Sequence, residues 1–129
     1  CSCFTMIQIN WKELNTEANL PEIIAQSFSG PCLIFKHSTR CSISKTALSR
    51  LERTWHQIPQ PPTAYYLDLL QNRVASNAVA EQFSVQHESP QVLLIHNGGC
   101  SYHASHSQIN AADLAEQLQN LLEVKQQLN

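Results

Sequence analysis

The chain has 129 residues, 43% of them hydrophobic, three glycines and a formal net charge of -2. That length suits one compact core, so residues 7–129 are expected to form one domain, with residues 1–6 a processed or appended tail. The charge balance excludes a general nucleic-acid binder, and no apolar stretch approaches the ~20 residues that cross a bilayer.

Cys1 and Cys3 precede any recognisable element, and Met6 is a candidate natural start. A cytoplasmic protein is expected; the alternative is a lipoprotein anchored through an acylated Cys1. Residues 7–11 read as a short edge strand. Leu20, Ile23, Ile24 and Phe28 recur at helical spacing within 18–28, and Gly30-Pro31 ends that helix.

The apolar run from Cys32 predicts a buried strand over 32–36. Over 42–56 the spacing of Ile43, Ala47, Leu48, Leu51 and Trp55 predicts an amphipathic helix, with Lys45, Arg50 and Arg53 largely off the apolar face. The prolines at 59, 61 and 62 cannot continue it. Thr63 to Leu70 reads as a second buried strand and Val74 to Phe83 as a helix, which implies a parallel strand pair joined by a crossover.

In the last third, Gln91 to Ile95 reads as a strand, Asn97-Gly98 as a two-residue hairpin turn and Cys100 to Ala104 as the returning strand. Asn110, with Asp113 three places on, is placed to cap a final helix whose stripe is Leu114, Leu118, Leu121 and Leu122. The order is β-α-β-α-β-β-α after an N-terminal β-α extension.

Cys41 falls at the junction between the first core strand and its following helix, and three places later stands Ser44 instead of a second cysteine. A helix N-terminus stabilises a thiolate, so this junction suits disulfide exchange. No acidic residue lies between Glu22 and Glu52, whereas Lys36, Arg40, Lys45 and Arg50 do. That basic field is expected to lower the pKa of Cys41 and to attract an anionic thiol.

The element order, the cysteine after the first core strand and Ser89-Pro90 before the third resemble a thioredoxin-like fold: an α/β domain with a central mixed sheet flanked by helices. The strings FKHSTRCSIS at 35–44 and SNAVAEQFSVQHESPQVLLI at 76–95 resemble the YtxJ family of monothiol bacilliredoxin-like proteins more specifically. The resemblance spans about residues 7 to 122, and Ser42 departs from it, since many relatives have proline there. It implies that Pro90 is cis and that the backbone at Ser89-Pro90 pairs with an extended substrate or small thiol. It also implies bacillithiol as co-substrate.

Cys41 and Ser44 are therefore the expected catalytic residues. Lys36, His37, Ser38, Thr39, Arg40, Ser42, Ser89 and Pro90 are the expected contacts to substrate. Within that set, Arg40 and Lys36 would stabilise the thiolate or the carboxylates of a small thiol. Thr39 would cap the helix or touch ligand, His37 would shuttle a proton or only pack, and Ser44 would donate to the thiolate.

Cys32, at the start of the strand that leads to Cys41, is too far for a disulfide, and Cys100 follows the hairpin at the distal tip. The expected chemistry is thus monothiol. Cys41 takes a low-molecular-weight thiol from an S-thiolated client protein, and a second small thiol or a separate reductase regenerates it. Cys100, His103 and His106 with nearby His96 are metal-ligand residue types, but a strand places residues three apart on opposite faces, so no metal or other cofactor is expected. A phosphatase-like loop fails because Ala47 stands where arginine is required. The competing reading is a non-enzymatic one: a thioredoxin-fold adaptor, or a carrier of an iron-sulfur cluster held by Cys41 and an external thiol. No nucleic-acid or membrane partner is expected.

Overall fold

The structure is a computed structural model that describes residues 11–14, 17–38, 42–55, 58, 62–68, 71–86, 88, 90–105 and 108–128, apart from the side chains of residues 17 and 122–128. Five strands and four α-helices follow in the order β1 (Lys12–Glu13), α1 (Leu20–Ser29), β2 (Cys32–His37), α2 (Ser42–Thr54), β3 (Thr63–Asp68), α3 (Arg73–Phe83), β4 (Gln91–His96), β5 (Gly99–Ser105) and α4 (Ala111–Leu128). A 3₁₀ turn at Glu17–Asn19 leads into α1. This is the predicted succession. A short edge strand is described at Lys12–Glu13, directly after Trp11; residues 7–10 of the strand expected at 7–11 lie outside the described residues.

The strands form one mixed sheet in the order β1-β3-β2-β4-β5. β2 and β3 are parallel, with Cys32 opposite Thr63 and His37 opposite Asp68, and β4 runs antiparallel to β2, with Lys36 opposite Gln91. All six residues of β2 are buried. A central strand covered on both faces has no solvent side to alternate with, which is why its apolar run is continuous.

Alternate residues of β2 face two cores. Leu33 and Phe35 pack with Ala47, Leu51 and Trp55 of α2 and with Leu114 and Leu118 of α4. Cys32 and Ile34 pack on the other face with Leu20 and Ile23 of α1 and Ala75 and Val79 of α3. Two residues placed on apolar faces by their spacing are instead exposed, Phe28 (64%) and Ile43 (59%), and Val74 at the start of α3 is exposed as well (66%). Ile43 and Val74 sit in the first turns of α2 and α3, each pointing away from buried neighbours, Ser44 and Ala75. Phe28 lies beside the β4-β5 turn, where a Cβ on Gly98 would come within 2.9 Å of its Cζ.

That turn explains its own sequence. Asn97 and Gly98 both have positive φ, 52° and 82°, as a two-residue turn matching the twist of its strands requires. Ser27 of α1 fixes it from below: its carbonyl accepts the Asn97 N–H at 3.1 Å and its Oγ accepts the Gly98 N–H at 2.8 Å, while the Ser27 hydroxyl donates to Ile24 O at 2.6 Å. At α4 the cap is reciprocal. Asn110 Oδ1 accepts the Asp113 N–H at 2.8 Å and Asn110 Nδ2 donates to Asp113 Oδ2 at 2.9 Å.

Ser27→Ala leaves a buried turn amide without its acceptor and is expected to lower stability by about 1–3 kcal/mol in a urea titration, with an unchanged m-value.

Candidate functional site

The site lies where the carboxyl ends of the parallel strands β2 and β3 meet the start of α2. Cys41, Thr39 and Arg40 fall between His37-Ser38 and Ser42 in sequence and, with Ser89, lie outside the described residues. What surrounds that junction is described in detail.

Ser44, in the first turn of α2, is fully buried. Its Oγ accepts the Ser38 backbone N–H at 3.1 Å and lies 2.7 Å from His37 Nδ1. One hydroxyl therefore joins α2 to His37, the last residue of β2, and to Ser38, which follows it. Ser42, the first residue of α2, is exposed, and its carbonyl accepts the Thr46 hydroxyl at 3.0 Å.

His37 is 3% exposed. Its ring packs against Phe35 at 6.0 Å and Tyr66 at 5.5 Å between centroids, and Trp11 extends the cluster, 5.9 Å from Phe35 and 6.0 Å from Tyr66. Burial pushes the imidazole below its ordinary pKa; Asp68 and Glu52 act against that shift and Lys45 acts with it. The β2-β4 register ends with Lys36 opposite Gln91, and buried Pro90 immediately precedes Gln91. The isomer of the Ser89-Pro90 bond involves a residue outside those described.

Lys36 is also fully buried, but on the opposite face of the sheet from His37. Its Nζ donates to Ser76 O on α3 at 3.4 Å, and desolvation lowers its pKa to about 8. Its neighbour across the strand pair, Gln91, donates from Nε2 to Gln86 O at 2.9 Å, while its buried Oε1 has no hydrogen-bond partner among the described residues. Thus His37, Ser38 and Ser44 are brought together, and Lys36 is not brought to the face they share.

The stretch without acidic residues in sequence is not free of them in space. Asp68 is the β3 register partner of His37, and Glu52, the residue that closes the acid-free stretch, accepts the Trp11 indole N–H at 3.3 Å. Arg50 is turned elsewhere, its Nε donating to Ile109 O ahead of α4 at 3.3 Å. Asp68, Tyr66, Glu52 and Trp11 are site neighbours that sequence reasoning did not select. Only the position of Asp68 at the carboxyl end of a strand hinted at it.

Of the five cysteines, two are described, and both are free thiols at the far end of the sheet. Cys32 is buried, its Sγ 3.9 Å from Ile23 O and 3.8 Å from Gly30 O, and desolvation pushes its pKa up to about 11. Cys100 is half-buried, with Sγ 3.3 Å from Tyr102 O, and burial raises its pKa as well. Both pair with Ile95, from opposite sides. Two strand spacings of ~4.8 Å then separate them, beyond the ~7 Å that a disulfide spans.

The expectation that Cys100 and His103 face opposite ways is corrected. A bulge between Leu94 and Ile95 shifts the β4-β5 register, so Cys100 pairs with Ile95 and His103 with Leu93, two residues of one sheet face. His103 is nevertheless exposed and His106 lies outside the described residues. Among the described residues no three His, Cys, Asp or Glu side chains gather as metal ligands, and no helix is long and apolar enough to cross a membrane.

The architecture is that of the thioredoxin fold. A solved structure described as "a putative oxidoreductase with a thioredoxin fold" is 28% identical, with a TM-score of 0.71 over 81% of this chain and 90% of its own. Thioredoxin from Trypanosoma brucei brucei is 11% identical, with a TM-score of 0.67 over 95% and 99% of the two chains. Thioredoxin from Fasciola hepatica is 21% identical, with a TM-score of 0.63 over 84% and 97%. The model of the monothiol bacilliredoxin family, BrxC, matches residues 12–114, and the chain belongs to that family. Family and fold together support a thiol redox function.

Lys36 yields a signed prediction. Its folded pKa of about 8 lies below its unfolded value, ~10.4, so the folded state binds fewer protons between the two. The cost of burying the ammonium is fully present below pH ~8 and is relieved as pH rises toward ~10.4. Lys36→Met is expected to flatten that rise in denaturation measurements at pH 7 to 10 and to raise stability at pH 7.

Proposed function

We propose that the protein is a monothiol thiol-disulfide oxidoreductase that removes a low-molecular-weight thiol, bacillithiol, from mixed disulfides on client proteins, with Cys41 as the nucleophile. The Cys41 thiolate attacks the small-thiol sulfur of the mixed disulfide. The client leaves as a thiolate, and Cys41 keeps the small thiol in a new disulfide. A second molecule of the small thiol, or a separate reductase, then attacks that disulfide and returns Cys41 to the thiolate; with the small thiol as reductant, the released product is its symmetric disulfide.

The observation that carries this reading is Ser44. It stands where a second thiol would resolve the adduct, it is sealed from solvent, and its oxygen is engaged by His37 and Ser38. Among the described residues Cys32 and Cys100 offer no substitute, since both lie at the distal end of the sheet with raised pKa values. In this reading exchange halts at a mixed disulfide until an external reductant arrives. Ser38, Ser42 and Pro90 border the Cys41 junction as contacts to the incoming disulfide, with Thr39, Arg40 and Ser89 completing that set. Reduced thiols at Cys32 and Cys100 accord with a cytoplasmic setting.

Intact-mass analysis after incubation with oxidised bacillithiol tests the reading. A single adduct is expected on the wild-type chain and on Cys32→Ala and Cys100→Ala, and none on Cys41→Ser. An adduct spread over several cysteines, or none on the wild type, points instead to an adaptor. Brown protein from anaerobic purification with iron points to a cluster carrier.

A further inference from the structure

Among the described residues the large hydrophobic side chains left exposed are Phe28, Ile43 and Val74. Phe28 lies at the distal end of the sheet, beside the β4-β5 turn. Ile43 and Val74 lie at the other end. α2 begins there, and the Asn72 N–H, donating to Asp68 O at 2.9 Å, ties the start of α3 to the end of β3.

Ile43 serves neither core. The buried residues of α2 are Ser44, Ala47 and Leu51, and the exposed neighbours of Ile43 in the first turns, Ser42, Lys45 and Thr46, are polar. A polar residue at position 43 would leave the packing of the helix as it is. What sets Ile43 apart from Phe28 is its covalent distance from Cys41. Two peptide units join the two residues, so their Cα atoms lie within about 7.6 Å of each other whatever path the chain takes. A helix also tilts every Cα–Cβ bond toward its N-terminus, so the Ile43 side chain leans toward the end of α2 that Cys41 precedes.

We propose that Ile43 is a specificity-determining contact that selects clients with apolar residues beside the S-thiolated cysteine. The inference rests on the reading of Cys41 as the nucleophile and adds the class of client to it. In that step a bond forms between the Cys41 sulfur and the small-thiol sulfur, the bond from the small thiol to the client breaks, and its electron pair leaves on the client sulfur. The three sulfurs stand in line, which brings the client cysteine sulfur within about 4–5 Å of the Cys41 sulfur. The chain carrying that cysteine therefore passes over what is exposed around Cys41, and Ile43 is a large apolar group exposed within that reach. A client segment with leucine or valine next to its cysteine covers Ile43, and both apolar surfaces leave water. The small thiol is not the occupant, because an anionic, polar molecule loses hydration against an isoleucine and gains no hydrogen bond from it.

Two S-bacillithiolated peptides, identical except for leucine or serine on both sides of the cysteine, test the inference. The measurement is the second-order rate of bacillithiol transfer to the reduced protein, referred to the rate of the same peptide with free bacillithiol. The wild type is expected to favour the leucine peptide about five- to tenfold. Ile43→Ser should bring that ratio close to one, and Ile43→Val should keep most of it. Phe28→Ser, which removes a similarly exposed apolar side chain from the distal end, should keep the wild-type ratio.

A ratio near one in the wild type, a wild-type ratio in Ile43→Ser, or an equal loss of preference in Phe28→Ser overturns the proposal. So does a fall in Ile43→Ser that is the same for both peptides, as altered thiol reactivity or folding would produce. The two failures are separable. Transfer from both peptides at one rate strikes the selectivity alone, whereas transfer from neither strikes the reading of Cys41 and the selectivity together.

Discussion

The contact between Ser44 and His37 fixes the geometry on which the rest of the site depends. β2 ends at His37 and α2, which packs across the sheet, begins at Ser42. Two bonds to a single hydroxyl, from the last residue of the strand and from the next amide, set how close the helix start comes to the strand end. Because the hydroxyl and the imidazole are buried, each would cost free energy if left unpaired, so the contact resists loosening. The helix terminus, whose unpaired amides favour a thiolate, is thereby set against the carboxyl end of the central strand.

β2 carries a second polar residue for a related reason. Lys36 and His37 are adjacent, so the pleat sends one side chain to each face of the sheet. Lys36 enters the α1-α3 side and donates to a backbone carbonyl of α3; His37 enters the α2-α4 side and meets Ser44. A register slip by one residue would exchange the two and leave an ammonium among Ala47, Leu51 and Trp55 of the α2 side. Polar residues at the end of an apolar strand thus help to specify which face is which. The selection is strong because the rest of β2 is apolar on both sides and cannot make it.

How far the chain discloses itself depends on whether the deciding interaction is local. The hairpin was legible because Asn97-Gly98 carries the left-handed backbone conformation its turn requires, and the α4 cap because Asn110 and Asp113 stand at capping spacing. Cys-x-x-Ser was legible as a pattern, as were the elements on either side of it. The bulge that brings Cys100 and His103 to one face left no comparable trace, since Ser101 differs in no obvious way from an ordinary strand residue. The exposure of Ile43 escaped detection because helical spacing says which residues share a face but not how far around the helix the sheet covers it. Asp68 and Glu52 reach His37 only through the fold, so a charge count along the chain does not reveal the acids that act on the residue ending β2.

The same contact bears on why a serine stands at position 44. Oxygen accepts the Ser38 N–H at 3.1 Å and meets Nδ1 at 2.7 Å, distances suited to a small, strongly polar atom. Sulfur is larger and a weaker donor and acceptor, so a cysteine there would push the helix start away from β2 or give up one of the two bonds. Its thiol would also face His37 Nδ1 directly. A thiol at this position would thus loosen the joint between β2 and α2 that the hydroxyl maintains, whereas under the proposed monothiol chemistry the joint is kept and the second half of the exchange falls to a reductant from outside.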